Sequence, residues 1–169
     1  LNSLDAALKL LAEARQPNAG LILDPLHLTR SGGTPADLAR VPHDLIGYAQ
    51  ICDGPATMAP DLQMFEGSEQ RQIPGEGVFP LREFIAALPR DVLLGVEVPL
   101  RDRIEQGLGP LERARLAVEA TRRLLDEFRS AAHEVTARVD ADTGARRRRQ
   151  SAGNSGHWLT TGTLADSYI

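Results

Sequence analysis

A chain of 169 residues, 42% hydrophobic and 25% charged, has the length and balance of one globular domain with a core. Its formal net charge of -4 gives no footing for nucleic acid as the main partner, because backbone binding needs Lys and Arg clustered on one face. The single cysteine, Cys52, excludes an internal disulfide and suits a reducing cytosol. No apolar run reaches the ~20 residues of a membrane span and no signal-peptide pattern opens the chain, so a soluble, cytoplasmic protein with no membrane partner is expected.

The chain opens on Leu1, not methionine, and enters a helical pattern almost at once, which suggests the later part of something longer. Leu4, Leu8 and Leu11 share one helix face; Asn2 or Ser3 suits its cap, and Pro17 stops it. The run Gly20 to Leu23 is too short for a helix and does not alternate, so it reads as a strand buried on both faces, as in a parallel sheet. Asp24-Pro25 ends it. Thr34-Pro35-Ala36-Asp37 opens a short helix with Thr34 as cap. A second apolar strand runs from Leu45 to Cys52, with Gln50 as its one strongly polar residue.

Residues 53 to 77 are rich in Gly, Pro, Ser and Gln, with a possible turn of helix from Asp61 to Phe65. A connection this long inside a domain is more often a working loop than a neutral one. Leu81, Phe84, Ile85 and Leu88 then mark an amphipathic helix, and Val92 to Pro99 a third strand. After Gly109-Pro110 the longest helix carries Leu111, Ala114, Val118, Leu125 and Phe128 as its expected docking stripe. Strand, helix, strand, helix, strand, helix is the order of a parallel α/β fold. From residue 129 to 169 the composition turns polar and small, with four arginines at Arg146 to Arg149, and a disordered low-complexity tail is expected. The arginine run reads as a solvated block before it reads as an anion site.

In parallel α/β folds the C-terminal strand ends form the working face. Asp24, Gln50 and Glu97 all lie there. Three oxygen donors converging on one mouth suit a divalent cation, Mg²⁺ or Mn²⁺ first, with Zn²⁺ or Co²⁺ as alternatives. His27, three residues past Asp24, would stand beside it to bind substrate or relay a proton. Each has a plainer reading: Asp24 suits a turn or helix cap, and a lone His27 suits a structural role. Glu97, flanked by Val96 and Val98, is harder to place without a partner. Arg71, beside Pro74-Gly75-Glu76-Gly77, could present its guanidinium to a substrate carboxylate or stand as a solvated loop cation. A doubly wound phosphoacceptor domain using Asp24 or Asp53 ranks last, because Glu97 stands where its third strand would need a lysine.

The order Gly20-Leu-Ile-Leu-Asp24-Pro-Leu-His27, Gly47-Tyr-Ala-Gln50-Ile-Cys-Asp53, Arg71-Gln-Ile-Pro74-Gly75-Glu76-Gly77 and Val96-Glu97-Val98 resembles the later strands of the xylose isomerase-like TIM barrels. The resemblance covers about residues 1 to 128 and implies a partial (β/α)8 barrel holding roughly its last three strands. It implies metal ligands at Asp24, Gln50 and Glu97, with Glu97 also moving a proton, and substrate contacts from His27 and Arg71. The implied function is a divalent-metal-dependent isomerase or epimerase of a sugar, sugar phosphate or related hydroxy-carbonyl compound. Gln50, where sugar epimerases usually carry His, shifts weight toward a lyase of the dehydroshikimate or inosose dehydratase type. A catalytically inactive truncated module is the non-enzymatic alternative. A complete barrel takes roughly 250 residues, so an N-terminal half-barrel or self-association is the expected partner, beside a sugar-like small molecule.

Overall fold

The computed structural model describes residues 3–153. Its contacts divide the chain into two units, Leu1–Phe128 and Arg129–Ile169. The first unit holds three short strands, β1 (Leu21–Leu23), β2 (Ile46–Ile51) and β3 (Leu94–Val96), and helices α1 (Leu4–Ala14), α2 (Pro25–Arg30), α3 (Gln63–Ser68), α4 (Leu81–Ala86) and α5 (Arg101–Glu105), with α6 beginning at Pro110. The strands stand in the order β1-β2-β3, every pair parallel. Sequence and structure therefore agree on an α/β fold with a parallel sheet.

Local chemistry sets the element ends. Ser3 caps α1 by accepting from the Ala6 amide at 3.1 Å. Asp24 does the same for α2, accepting from the Leu26 amide at 2.8 Å, with Pro25 preset for the first helical position. The stretch Pro35–Arg40 is a 3-10 turn; the Asp37 carboxylate closes it by accepting from the Thr34 amide and hydroxyl, both at 2.8 Å. The working loop contains more helix than expected, a 3-10 turn at Pro60–Leu62 followed by α3.

The main core lies on one side of the sheet. Leu21, Leu23, Ala49 and Ile51 meet Leu38, Val41, Leu81, Phe84 and Leu88 there, and Leu4, Leu8 and Leu11 of α1 close over them. A smaller cluster joins Ile73, Leu100 and Ala120. Each buried Leu, Ile or Phe contributes about 1.5–3 kcal/mol.

Register defines the opposite face. Ile22 pairs with Tyr48 and Gln50 with Gly95; residues directly across a ladder share a face, and alternation adds Asp24 two residues past Ile22 and Glu97 two past Gly95. Ile22 on this face is 63% exposed.

The expected stripe on α6 holds at Leu125 and Phe128, which are half-buried, and is corrected nearer the start of the helix. Ala117, Ala120 and Thr121 are buried, and Leu116 and Leu124 pack beside them, whereas Leu111 is 84% exposed and Val118 is exposed as well. Small residues let the helix approach closely, so bulk alone misjudged its face.

In the second unit the backbone is helical as far as Gly153. Ala and Arg recur through this stretch, and both are strong helix formers. Helix propensity and core formation are separable, and the polar composition speaks only to the second. The side chains of Arg146 to Arg149 and all of residues 154–169 lie outside the described residues. No helix among the described residues is long and apolar enough to cross a membrane.

Candidate active site

The strand ends carry a buried ion-pair cluster. Arg71 Nη1 lies 2.7 Å from Asp24 Oδ2 and 3.5 Å from Glu97 Oε2, with side-chain exposures of 2% for Arg71, 3% for Asp24 and 42% for Glu97. Arg71 Nε donates to the Gly67 carbonyl at 2.9 Å, so α3 fixes the plane of the guanidinium. The second Asp24 oxygen is shared between the Leu26 amide and the Cys52 thiol at 3.6 Å. Burial works against the Arg71 charge, but the Asp24 carboxylate, with Cys52 and Glu97 behind it, raises its pKa above the usual arginine value. Burial, then the Asp24 charge, pushes the Cys52 thiol up to about 12.

Two expected roles change character. Arg71 is no solvated loop cation: it is buried and bridges Asp24 and Glu97. Asp24 has both the plain role and a place in the site, since it caps α2 and faces Arg71. Gln50 lies on the same sheet face by register and is half-buried. His27, in the first turn of α2, is exposed, and a methyl built on Gly67 would stand 3.9 Å from its Cε1.

Asp53 is not a phosphoacceptor. It is buried, and its carboxylate accepts from the Gly54, Gly75 and Phe79 amides at 2.9, 2.9 and 3.0 Å. It holds the Gly75-Glu76-Gly77 loop down against the end of β2.

Sequence reasoning missed a second buried pair. Arg30 grips Glu66 with two hydrogen bonds, Nε to Oε2 at 2.7 Å and Nη2 to Oε1 at 2.6 Å. Arg30 also donates to the Pro55 carbonyl at 2.8 Å and stacks 5.1 Å from the Phe79 ring centroid. The only sequence signal was its spacing: Arg30 follows His27 by three residues, on one helix face.

Asp24, Glu97 and the Gln50 amide oxygen form a hard oxygen set of the type that divalent cations take. Among the described residues no group of three or more His, Cys, Asp or Glu is placed to hold a metal ion. Glu97, exposed to solvent on one side, and Gln50 are open to a ligand; the Asp24 oxygen that faces Arg71 is already engaged. Its other oxygen accepts from the Leu26 amide and the Cys52 thiol, so a cation bound at this mouth would have to share Asp24 with Arg71.

A parallel α/β segment with acidic and amide groups at its strand ends is an arrangement that barrels and doubly wound sheets share. The chain is a member of the xylose isomerase-like TIM barrel family, which matches residues 1–129. It is 34% identical over 87 residues to a 3-dehydroshikimate dehydratase of Pseudomonas aeruginosa, a match that covers 51% of this chain and 13% of that protein. Among solved structures it resembles the IolI protein crystallised with a zinc atom, at 19% identity and a TM-score of 0.62 over 75% of this chain and 45% of that one. It also resembles a xylose isomerase domain protein of Alicyclobacillus acidocaldarius, at 24% identity and a TM-score of 0.53 over 75% and 42%. A xylose isomerase-like TIM barrel/4-hydroxyphenylpyruvate dioxygenase fusion protein matches at 26% identity and 0.51 over 58% and 16%. The chain thus spans less than half the length of each of these relatives.

Proposed function

We propose that residues 1–128 supply the last three strand ends of a divalent-metal-dependent enzyme that moves a proton beside a carbonyl group. The observation that carries this reading is the shared face of Asp24, Gln50 and Glu97, with Arg71 bridging the two carboxylates. A bound divalent cation would polarise the substrate carbonyl and its neighbouring hydroxyl. Glu97, the partly exposed carboxylate, is the group with access to take or return the proton. Arg71 binds a substrate oxygen or carboxylate, and His27 closes the site from α2. The missing donors come from an N-terminal half-barrel or from a second copy of the chain. The location proposed is the cytoplasm, in keeping with the free buried Cys52.

Two outcomes of the same proton step divide the readings. Loss of water beside the carbonyl, the dehydratase outcome, is favoured by the 34% identity to a 3-dehydroshikimate dehydratase and by Gln50. Isomerisation or epimerisation of a sugar-like hydroxy-carbonyl compound is favoured by the family as a whole. NMR of 3-dehydroshikimate and of hydroxy-carbonyl sugars incubated with the assembled barrel separates them. The experiment for the site is a Mn²⁺ titration of the chain, alone and reunited with an N-terminal half-barrel. Thermal stabilisation by Mn²⁺ that Glu97→Gln and Asp24→Asn remove is expected. Its absence in every form would leave an inactive module and end the metal-enzyme reading.

A further inference from the structure

The Arg30–Glu66 pair occupies the interior of the working loop and is used by none of the chemistry above. Glu66 is 1% exposed, with both oxygens on Arg30. A carboxylate and a guanidinium are costly to bury, and a pair of apolar residues would hold a loop at least as well, so what this pair adds is geometric: two parallel hydrogen bonds fix orientation as well as distance. The next residue after Glu66 is Gly67, whose carbonyl receives Arg71 Nε at 2.9 Å and where an added Cβ would stand 3.9 Å from His27 Cε1. Arg30 itself sits one turn from His27 on α2. Glu66 and Gly67 therefore tie α2, through Arg30, to the orientation of Arg71.

We propose that Arg30 and Glu66 are positioning residues that set Arg71, and the gap between Arg71 and His27, for the substrate. This rests on the reading above that Arg71 and His27 face substrate. The order of action is Arg30 to Glu66, Glu66 to the Gly67 carbonyl, the carbonyl to Arg71 Nε, and Arg71 to Asp24 and Glu97. A residue that holds another in this way acts through it without touching the reacting atoms.

The test needs neither metal nor substrate. In the ¹⁵N-labelled full chain, solvent exchange of the arginine Nε–H groups is followed by NMR. In the wild type, the Arg30 and Arg71 Nε–H groups are expected to exchange through one opening, with the same dependence on denaturant. Arg30→Lys, which cannot make both parallel bonds, and Glu66→Gln should speed Arg71 Nε–H exchange by about tenfold or more while the helical signal is kept. Arg101→Gln, at an exposed pair with Glu69 and Glu105, should leave it unchanged. A purely structural pair would lower the melting temperature and leave Arg71 exchange where it was. That result overturns the proposal, as does a wild-type opening that frees Arg71 Nε–H while Arg30 stays protected, and the wild-type comparison decides if both variants unfold. Failure of Mn²⁺ binding with coupled exchange intact would sink the metal reading and leave the positioning intact.

Discussion

Asp24 and Arg71 meet at 2.7 Å with both side chains almost wholly out of water, tying the end of β1 to the loop beyond α3. Breaking a buried pair from one side leaves an uncompensated charge, so Arg71→Ala is expected to cost about 3–5 kcal/mol. Asp24→Asn keeps the α2 cap and loses the charge together with the oxygen that accepts from Arg71. Paired with Arg71→Gln it should cost clearly less than the sum of the two single changes. Urea unfolding of the four proteins measures the coupling, and strict additivity would show that the two charges do not depend on one another.

The same pair sets a condition on metal binding. A cation on Asp24 would stand beside the Arg71 charge, and unit charges a few ångströms apart near a surface are worth roughly 1–4 kcal/mol. Arg71→Gln should therefore tighten Mn²⁺ binding by about tenfold or more, read by electron paramagnetic resonance of free Mn²⁺. An unchanged affinity would remove Asp24 from the ligand set.

The loop after Arg71 is fixed by close approach. A Cβ on Gly77 would fall 2.3 Å from Asp53 Oδ1 and 2.4 and 2.5 Å from the Gly54 carbonyl oxygen and amide nitrogen. Two of these three neighbours are backbone and cannot swing aside. Gly77→Ala is expected to destabilise by about 3 kcal/mol, the upper part of the usual overpacking range. Asp53→Ala should cost a similar amount by leaving the Gly75 and Phe79 amides unpaired. Gly109→Ala, with nothing within 4 Å, should stay within about 0.5 kcal/mol. Thermal melts of the three variants check the order.

Much of this arrangement is legible in the sequence, for a physical reason: a short apolar run that ends in a polar residue has few ways to fold, and the expected runs Gly20 to Leu23 and Leu45 to Cys52 contain the strands Leu21–Leu23 and Ile46–Ile51. The parallel order follows from the helices between them. What the sequence hides is contact across distance. Arg71 reads equally as a surface cation until its neighbour, 47 residues away in the chain, is known to face it. Beyond the helical spacing of Arg30 from His27, nothing in the sequence pairs Arg30 with Glu66, because their bond depends on how residues 53–62 fold back. On α6 the bulky Leu111 and Val118 outweigh Ala117 and Ala120 in any count of hydrophobicity, yet close packing selects the small residues.

Cys52 supplies a pH test of the buried cluster. Its thiol is fully buried and pushed up to about 12, first by burial and then by the Asp24 carboxylate, against the opposing pull of Arg71. An unfolded thiol titrates near ~8.5, so the folded chain holds this proton more tightly than the unfolded one. The associated stability is whole below ~8.5 and is lost as pH rises toward the folded value, at roughly 1.4 kcal/mol per unit in between. Tyr and Lys titrate in the same range, and subtracting Cys52→Ala removes their share. The difference in unfolding free energy between the metal-free wild type and Cys52→Ala should be constant up to about pH 8 and should then fall toward pH 10.5. A difference that stays flat across that range would mean that the thiolate is as well accommodated beside Asp24 as in water, and that Arg71 offsets both burial and the neighbouring carboxylate.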